Sequence, residues 1–189
     1  MKLLLLNIVW GTWNLFLAFL ALAFVYASLR FKNKILSFIM IGFGVLFAPN
    51  TIYITTDLAH LFRQWNQINS VLRPFLLIQY VIFIPLGIIV FLLTIKEIEK
   101  FYEKYFSKKY LRLFLICLNF IIAFGVVIGR VQRANSWHVF TKPLVVLNNV
   151  IKTLTSLELI LYTLVFGIFS NLIYFGFRKK LSVGGRILR

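Results

Sequence analysis

Five long apolar segments, separated by short polar or charged stretches, dominate the chain: Leu3–Leu29, Ile35–Thr55, Pro74–Ile95, Leu111–Ile128 and Leu157–Phe177. An α-helix rises about 1.5 Å per residue, so about 20 apolar residues cross about 30 Å of bilayer hydrocarbon. Each segment reaches or approaches that length. The pattern predicts an all-α, polytopic transmembrane helical bundle, a single integral-membrane domain over residues 1–189. Pro49 interrupts the second segment and predicts a kink or a restarted helix, because proline lacks the backbone donor. Between Val139 and Ser156 the chain is apolar but short, and Asn148 and Asn149 break it. This stretch predicts an interfacial or re-entrant helix before the last span, with a sixth span as the alternative. The Lys96–Arg112 connection mixes Glu97, Glu99 and Glu103 with six basic residues at helical spacing, which predicts a solvated helix. Leu3–Leu29 exceeds the roughly 7–15 apolar residues of a signal peptide and meets Arg30, Lys32 and Lys34 at its end. It is therefore expected to be a retained span.

Composition removes the soluble classes. The chain is 61% hydrophobic and 14% charged, whereas soluble domains hold about 45–50% apolar and about 25% charged residues. A net charge of +16 invites a nucleic-acid reading. Yet the lysines and arginines sit at the ends of apolar runs, where they orient a membrane protein and meet lipid headgroups. Membrane lipids, not nucleic acid, are the expected partners, and the sequence names no protein partner. With five spans, fourteen basic residues fall on the side of Arg30, Lys104, Arg112, Arg178, Lys180, Arg186 and Arg189, against seven on the other. That asymmetry puts the N-terminus outside and the C-terminus in the cytoplasm. Cys117 stands alone, so no intrachain disulfide is available.

The unusual chemistry gathers in two connections on the predicted outer side. If the chain is helical after Pro49, Asn50, Tyr53, Asp57 and His60 fall at i, i+3, i+7 and i+10, on a stripe about 80° wide. Such a stripe must face protein or water rather than lipid. Capping of a helix end would account for it. The functional reading is that Asp57 orients His60 through one ring nitrogen and leaves the other free as a base or ligand. In the second connection Arg130, Arg133 and Trp137 share a face if helical, and two guanidinium forks suit a phosphate or carboxylate. The competing reading is an interfacial anchor, with one arginine neutralising Asp57 across the bundle. Asp57, His60 and His138 could form a two-histidine, one-carboxylate metal set. Their spacing fits no short-range ligand signature, so no metal is expected. No cofactor is expected either, because the chain has no Walker loop, dinucleotide fingerprint, nucleophile elbow or cysteine pair.

Three stretches carry a resemblance: Trp13-Asn14-Leu15-Phe16-Leu17-Ala18; Pro49-Asn50 with Tyr53, Thr56-Asp57-Leu58 and His60-Leu61; and Gly129-Arg130 with Arg133 and Asn135-Ser136-Trp137. On them the chain resembles the domain-of-unknown-function 1361 family of bacterial polytopic membrane proteins. The resemblance implies a bacterial cytoplasmic membrane location and brings no activity with it. Members typically carry an aspartate where this chain has His138, which weakens any scheme needing a carboxylate there. Combined with the topology, the three stretches converge at one end of the bundle in an extracytoplasmic polar pocket. Asp57 and His60 are then candidates for acid–base catalysis. Asn14, Asn50, Tyr53, Thr56, Arg130, Arg133, Asn135 and Trp137 are candidates for binding a lipid or lipid-linked anionic substrate. A small transporter or substrate-binding membrane subunit, and a structural partner of a membrane complex, are the alternatives.

Overall fold

The computed structural model describes residues 2–187, with side chains through Lys179. The side chains of Lys180, Arg186 and Arg189, counted above for orientation, lie outside the described residues. Nine α-helices follow one another among the described residues: α1 (Lys2–Arg30), α2 (Lys34–Phe47), α3 (Pro49–Tyr53), α4 (Leu58–Trp65), α5 (Arg73–Tyr105), α6 (Leu111–Val131), α7 (His138–Thr141), α8 (Pro143–Thr155) and α9 (Leu157–Ile187). A 3₁₀ turn, Ile54–Asp57, joins α3 to α4, and no strand is present among these residues. Five stretches are long and apolar enough to cross a membrane: Lys2–Arg30, Lys34–Trp65, Ser70–Tyr105, Lys108–Val131 and Leu157–Lys179. The architecture is an all-α bundle of the transmembrane type.

Two stretches differ from the sequence expectation. The second span runs to Trp65 rather than Thr55. Pro49 does not end it, because proline at a first helical position loses nothing the helix needs there. Beyond it, the hydroxyls of Thr51, Thr55 and Thr56 each donate, at 2.6 Å, to the carbonyl three residues back. Those bonds satisfy carbonyls where the spiral tightens to the 3₁₀ form.

The Lys96–Arg112 connection is not a separate solvated helix. α5 continues to Tyr105, and the break comes at Phe106–Ser107, where the Ser107 hydroxyl accepts from the Lys109 amide at 3.3 Å. Nor is Glu99 solvated. The Tyr174 hydroxyl donates to it, and Arg178 donates twice to Oε1, at 2.5 and 3.2 Å. Glu99 thus ties α5 to α9 at this end of the bundle. α8, the alternative sixth span, has 13 residues, about 20 Å of helix. It is too short to cross. Its exposed Leu144, Leu147, Ile151 and Leu154 share one side, opposite Asn149 and Thr153, as an interfacial helix requires.

α1 packs against α2 and α5, α6 packs against α9, and α3 is wedged among α1, α5 and α6. The wedge fits because glycines face it. A methyl group on Gly125 would sit 2.5 Å from the Pro49 ring, and one on Gly87 would sit 2.9 Å from the Thr51 carbonyl oxygen. Small residues at such crossings let helix backbones approach, which is where membrane helices gain packing energy. Around the wedge lies the core, with Val25, Ile52, Phe91, Ile95, Ile122 and Val126 fully or almost fully buried. α3, the 3₁₀ turn and α4 are thereby held at the end of the bundle away from Arg30, Lys104 and Arg178. There the functional chemistry collects.

Candidate functional site

At this end a cavity of about 1020 Å³ opens between α1, the Pro49–Gln64 segment, α5, the end of α6 and the loop after it. Of the ten residues singled out from sequence, nine line it: Asn14, Asn50, Tyr53, Asp57, His60, Arg130, Arg133, Asn135 and Trp137. Thr56 does not. Its side chain is buried on its own backbone, and its carbonyl accepts from Arg130 at 3.2 Å.

An ion pair in the cavity joins the two charged stretches. Arg130 Nη1 donates to Asp57 Oδ1 at 3.0 Å, with each side chain 23% exposed. The same guanidinium lies 5.5 Å from the Tyr53 ring centre, close enough for a cation–π attraction. One arginine therefore spans the carboxylate, a backbone carbonyl and an aromatic face, and bolts α6 to the 3₁₀ turn. This arrangement replaces the expected Asp57–His60 pair. Among the described residues the hydrogen-bonded partner of Asp57 Oδ1 is Arg130, while His60 makes no hydrogen bond to Asp57. A fixed guanidinium fork satisfies a carboxylate better than an imidazole three positions along the same chain. His60 nevertheless stays in the field of Asp57, Arg130 and Arg63.

The second stretch converges by another route than a helical face. α6 ends at Val131, and Arg133 takes a positive φ of 55°. The left-handed region costs a non-glycine residue about 1–2 kcal/mol. It reverses the chain here, so that the Ala134 amide reaches back to the Ile128 carbonyl at 3.4 Å. Ser136 is pinned to the wedge, accepting from the Asn50 amide at 3.1 Å. Trp137 meets Trp13 of α1 edge to face, with ring centres 6.0 Å apart. The hypothetical metal set does not assemble. His138 lies off the cavity, with its Nδ1 accepting from the Asn135 amide at 3.2 Å. No three metal-ligating side chains cluster among the described residues.

The cavity also recruits residues the sequence reading left aside. Asn7 and Gln64 exchange amide hydrogen bonds at 2.7 and 3.0 Å, and the Tyr80 hydroxyl donates to Gln64 Oε1 at 3.1 Å. Arg63 lines the same space. A signal for them was present. His60 and Gln64 continue the stripe from Asp57 at helical spacing, and Asn7 and Asn14 are two turns apart on α1.

The model of the family described as "Protein of unknown function (DUF1361)" matches residues 13–173. The chain belongs to this family. The matched region holds all ten residues expected at the site, along with Arg63, Gln64 and Tyr80; of the cavity's polar residues named here, only Asn7 precedes it. No curated protein and no solved structure matches the chain.

Proposed function

We propose that this protein binds an anionic, lipid-linked substrate in the extracytoplasmic leaflet of a bacterial cytoplasmic membrane, with Arg63 and Arg133 holding the anion. One observation carries the reading. Asp57 and Arg130 neutralise each other, and Arg63 and Arg133 then face the cavity with no hydrogen bond or ion pair among the described residues. Asp57 is the cavity's carboxylate and is already engaged, so the lining carries uncompensated positive charge. Charge of one sign in a cleft with low-dielectric walls concentrates the opposite ion. The unfavourable backbone at Arg133 supports the same view, because strain of this kind gathers at ligand-binding positions.

The lipid part rests on the other rim. Leu6 and Trp13, at the edge of the cavity-lining face of α1, are also 48% and 45% exposed. In a membrane such side chains touch acyl chains, so a ligand can keep its anion inside and its chain in lipid. Conduction is a poorer fit. The cavity is bounded by Pro49, Ile84 and Gly125; beyond it lie the buried Phe91, Ile95, Ile122 and Val126, and the buried polar Thr94 and Asn119 there are bonded to Val90 and Asn171. His60 is the titratable side chain left available for proton transfer to a bound substrate.

Farnesyl phosphate in nanodiscs is the direct probe, with uncharged farnesol as its control. Arg63→Gln and Arg133→Gln should each weaken farnesyl phosphate binding about tenfold or more, the scale of a lost charge-assisted hydrogen bond. Farnesol binding should not change. Unaltered phosphate affinity in both variants would remove the anion site.

Orientation is tested in a Cys117→Ser background with an impermeant maleimide on intact cells. Cysteine placed at Gln67, beside the cavity, should label. Cysteine placed at Lys104, which reaches the Leu29 carbonyl at the opposite end, should not. The reverse pattern would put the cavity in the cytoplasmic leaflet.

A further inference from the structure

Arg63 and Arg133 account for only part of the cavity. Its volume, about 1020 Å³, lies at the top of the range of about 300–1,000 Å³ that encloses a drug-sized molecule. A phosphate fills a small fraction of that. The wall built by α1, α4 and α5 differs in chemistry from the arginine side. It presents Asn7, Asn14, Gln64 and Tyr80, all neutral, and each both donor and acceptor.

The Asn7–Gln64 exchange and the Tyr80 bond hold three of these side chains in fixed positions drawn from three helices. Each bond leaves capacity over. Asn7 and Gln64 each keep an N–H, and the Tyr80 oxygen can still accept. Trp10 lies on the same wall, one turn from Asn7 and from Asn14, and offers a flat apolar face. An alkyl phosphate alone would be served better by leucine or phenylalanine here, because polar groups in a lipid-bounded cavity are costly unless hydrogen-bonded. Preorganised amides and a phenol beside an aromatic plane match a ligand with hydroxyls around its edge and C–H groups on its face.

From this wall we infer a sugar subsite: the bound species carries a glycosyl group on its phosphate, and Asn7, Gln64 and Tyr80 read its hydroxyls, while Asn14 faces Asp57. The inference rests on the anion site proposed above and adds the substrate class. Arg63 and Gln64 are consecutive residues of α4 and both line the cavity, so the sugar lies next to the anion, as a glycosyl phosphodiester demands.

The test compares two diesters of equal charge in nanodiscs, farnesyl methyl phosphate and farnesyl glucosyl phosphate, with soluble glucose 1-phosphate as a third probe. The wild-type protein should bind the glucosyl diester at least about tenfold tighter than the methyl diester. Tyr80→Phe removes one hydroxyl and nothing else, and should cut that margin severalfold. The Asn7→Leu/Gln64→Leu double variant should abolish it. Both variants should leave methyl diester affinity within about twofold, which shows that the cavity has kept its form. Equal binding of the two diesters by the wild type overturns the sugar subsite, as does an equal loss for both diesters in Tyr80→Phe. Glucose 1-phosphate binding as tightly as the glucosyl diester would uphold the subsite and instead sink the lipid-linked reading.

Discussion

Arg130→Met should cost about 3 kcal/mol of stability, since removing one partner of a buried ion pair strands the other charge. Asp57 Oδ1 would lose its 3.0 Å partner, and the Thr56 carbonyl would lose its 3.2 Å donor in the same step. Each side chain is 23% exposed, so water in the cavity softens the penalty, and the lower end of the usual range of about 3–5 kcal/mol applies. The pair is expected to stabilise little against apolar replacements, because removing both charges also removes their desolvation cost. Arg130→Met/Asp57→Leu should therefore recover most of the loss. Denaturation in mixed micelles, run as a double-mutant cycle over the four proteins, measures this coupling. A double variant as unstable as the two single changes added together would mean that the residues act independently, and the bolt between α6 and the 3₁₀ turn would not exist.

That pair also shows where sequence reasoning reaches and where it stops. The five spans were legible because hydrocarbon demands about 20 apolar residues whatever the tertiary structure. The end of the second span was not. Polar residues from Thr55 onward read as an exit from the membrane, yet Arg130 and the back-bonds of Thr55 and Thr56 satisfy them within the helix. That compensation comes from a residue 73 positions away in the chain. The meeting of the two charged stretches followed from placing both on one side of the bundle. Which arginine would pair with Asp57 did not, because it turns on the left-handed residue at Arg133, where sequence favours glycine. The wall of Asn7, Gln64 and Tyr80 was hidden for another reason. A single amide in an apolar helix usually signals an interhelical hydrogen bond. Here it signals that and a cavity wall together.

Gly87→Val should rank beside Arg130→Met in damage, with an expected loss of about 2–3 kcal/mol from overpacking. A β-carbon at Gly87 would lie 2.9 Å from the Thr51 carbonyl oxygen and 3.1 Å from Ile54 Cβ. A flexible side chain could swing aside, but these atoms belong to the wedge itself. Thr51 is fully buried, and its hydroxyl is bound to the Ala48 carbonyl at 2.6 Å. Relief must come from moving the backbone of α3 and the 3₁₀ turn, which would carry Tyr53 and Asp57 away from Arg130. Farnesyl phosphate binding should fall along with stability, although Gly87 does not line the cavity. Gly176→Ala is the matched control. Nothing lies within 4 Å of a β-carbon there, and alanine in a helix gains about 0.8–1 kcal/mol over glycine. Gly176→Ala should therefore melt no lower than the parent and bind as before. If Gly87→Val destabilises the protein yet leaves affinity intact, the wedge is a packing element with no grip on the site. A fall in both, in proportion, means that the seat of α3 against α5 sets the geometry at Asp57.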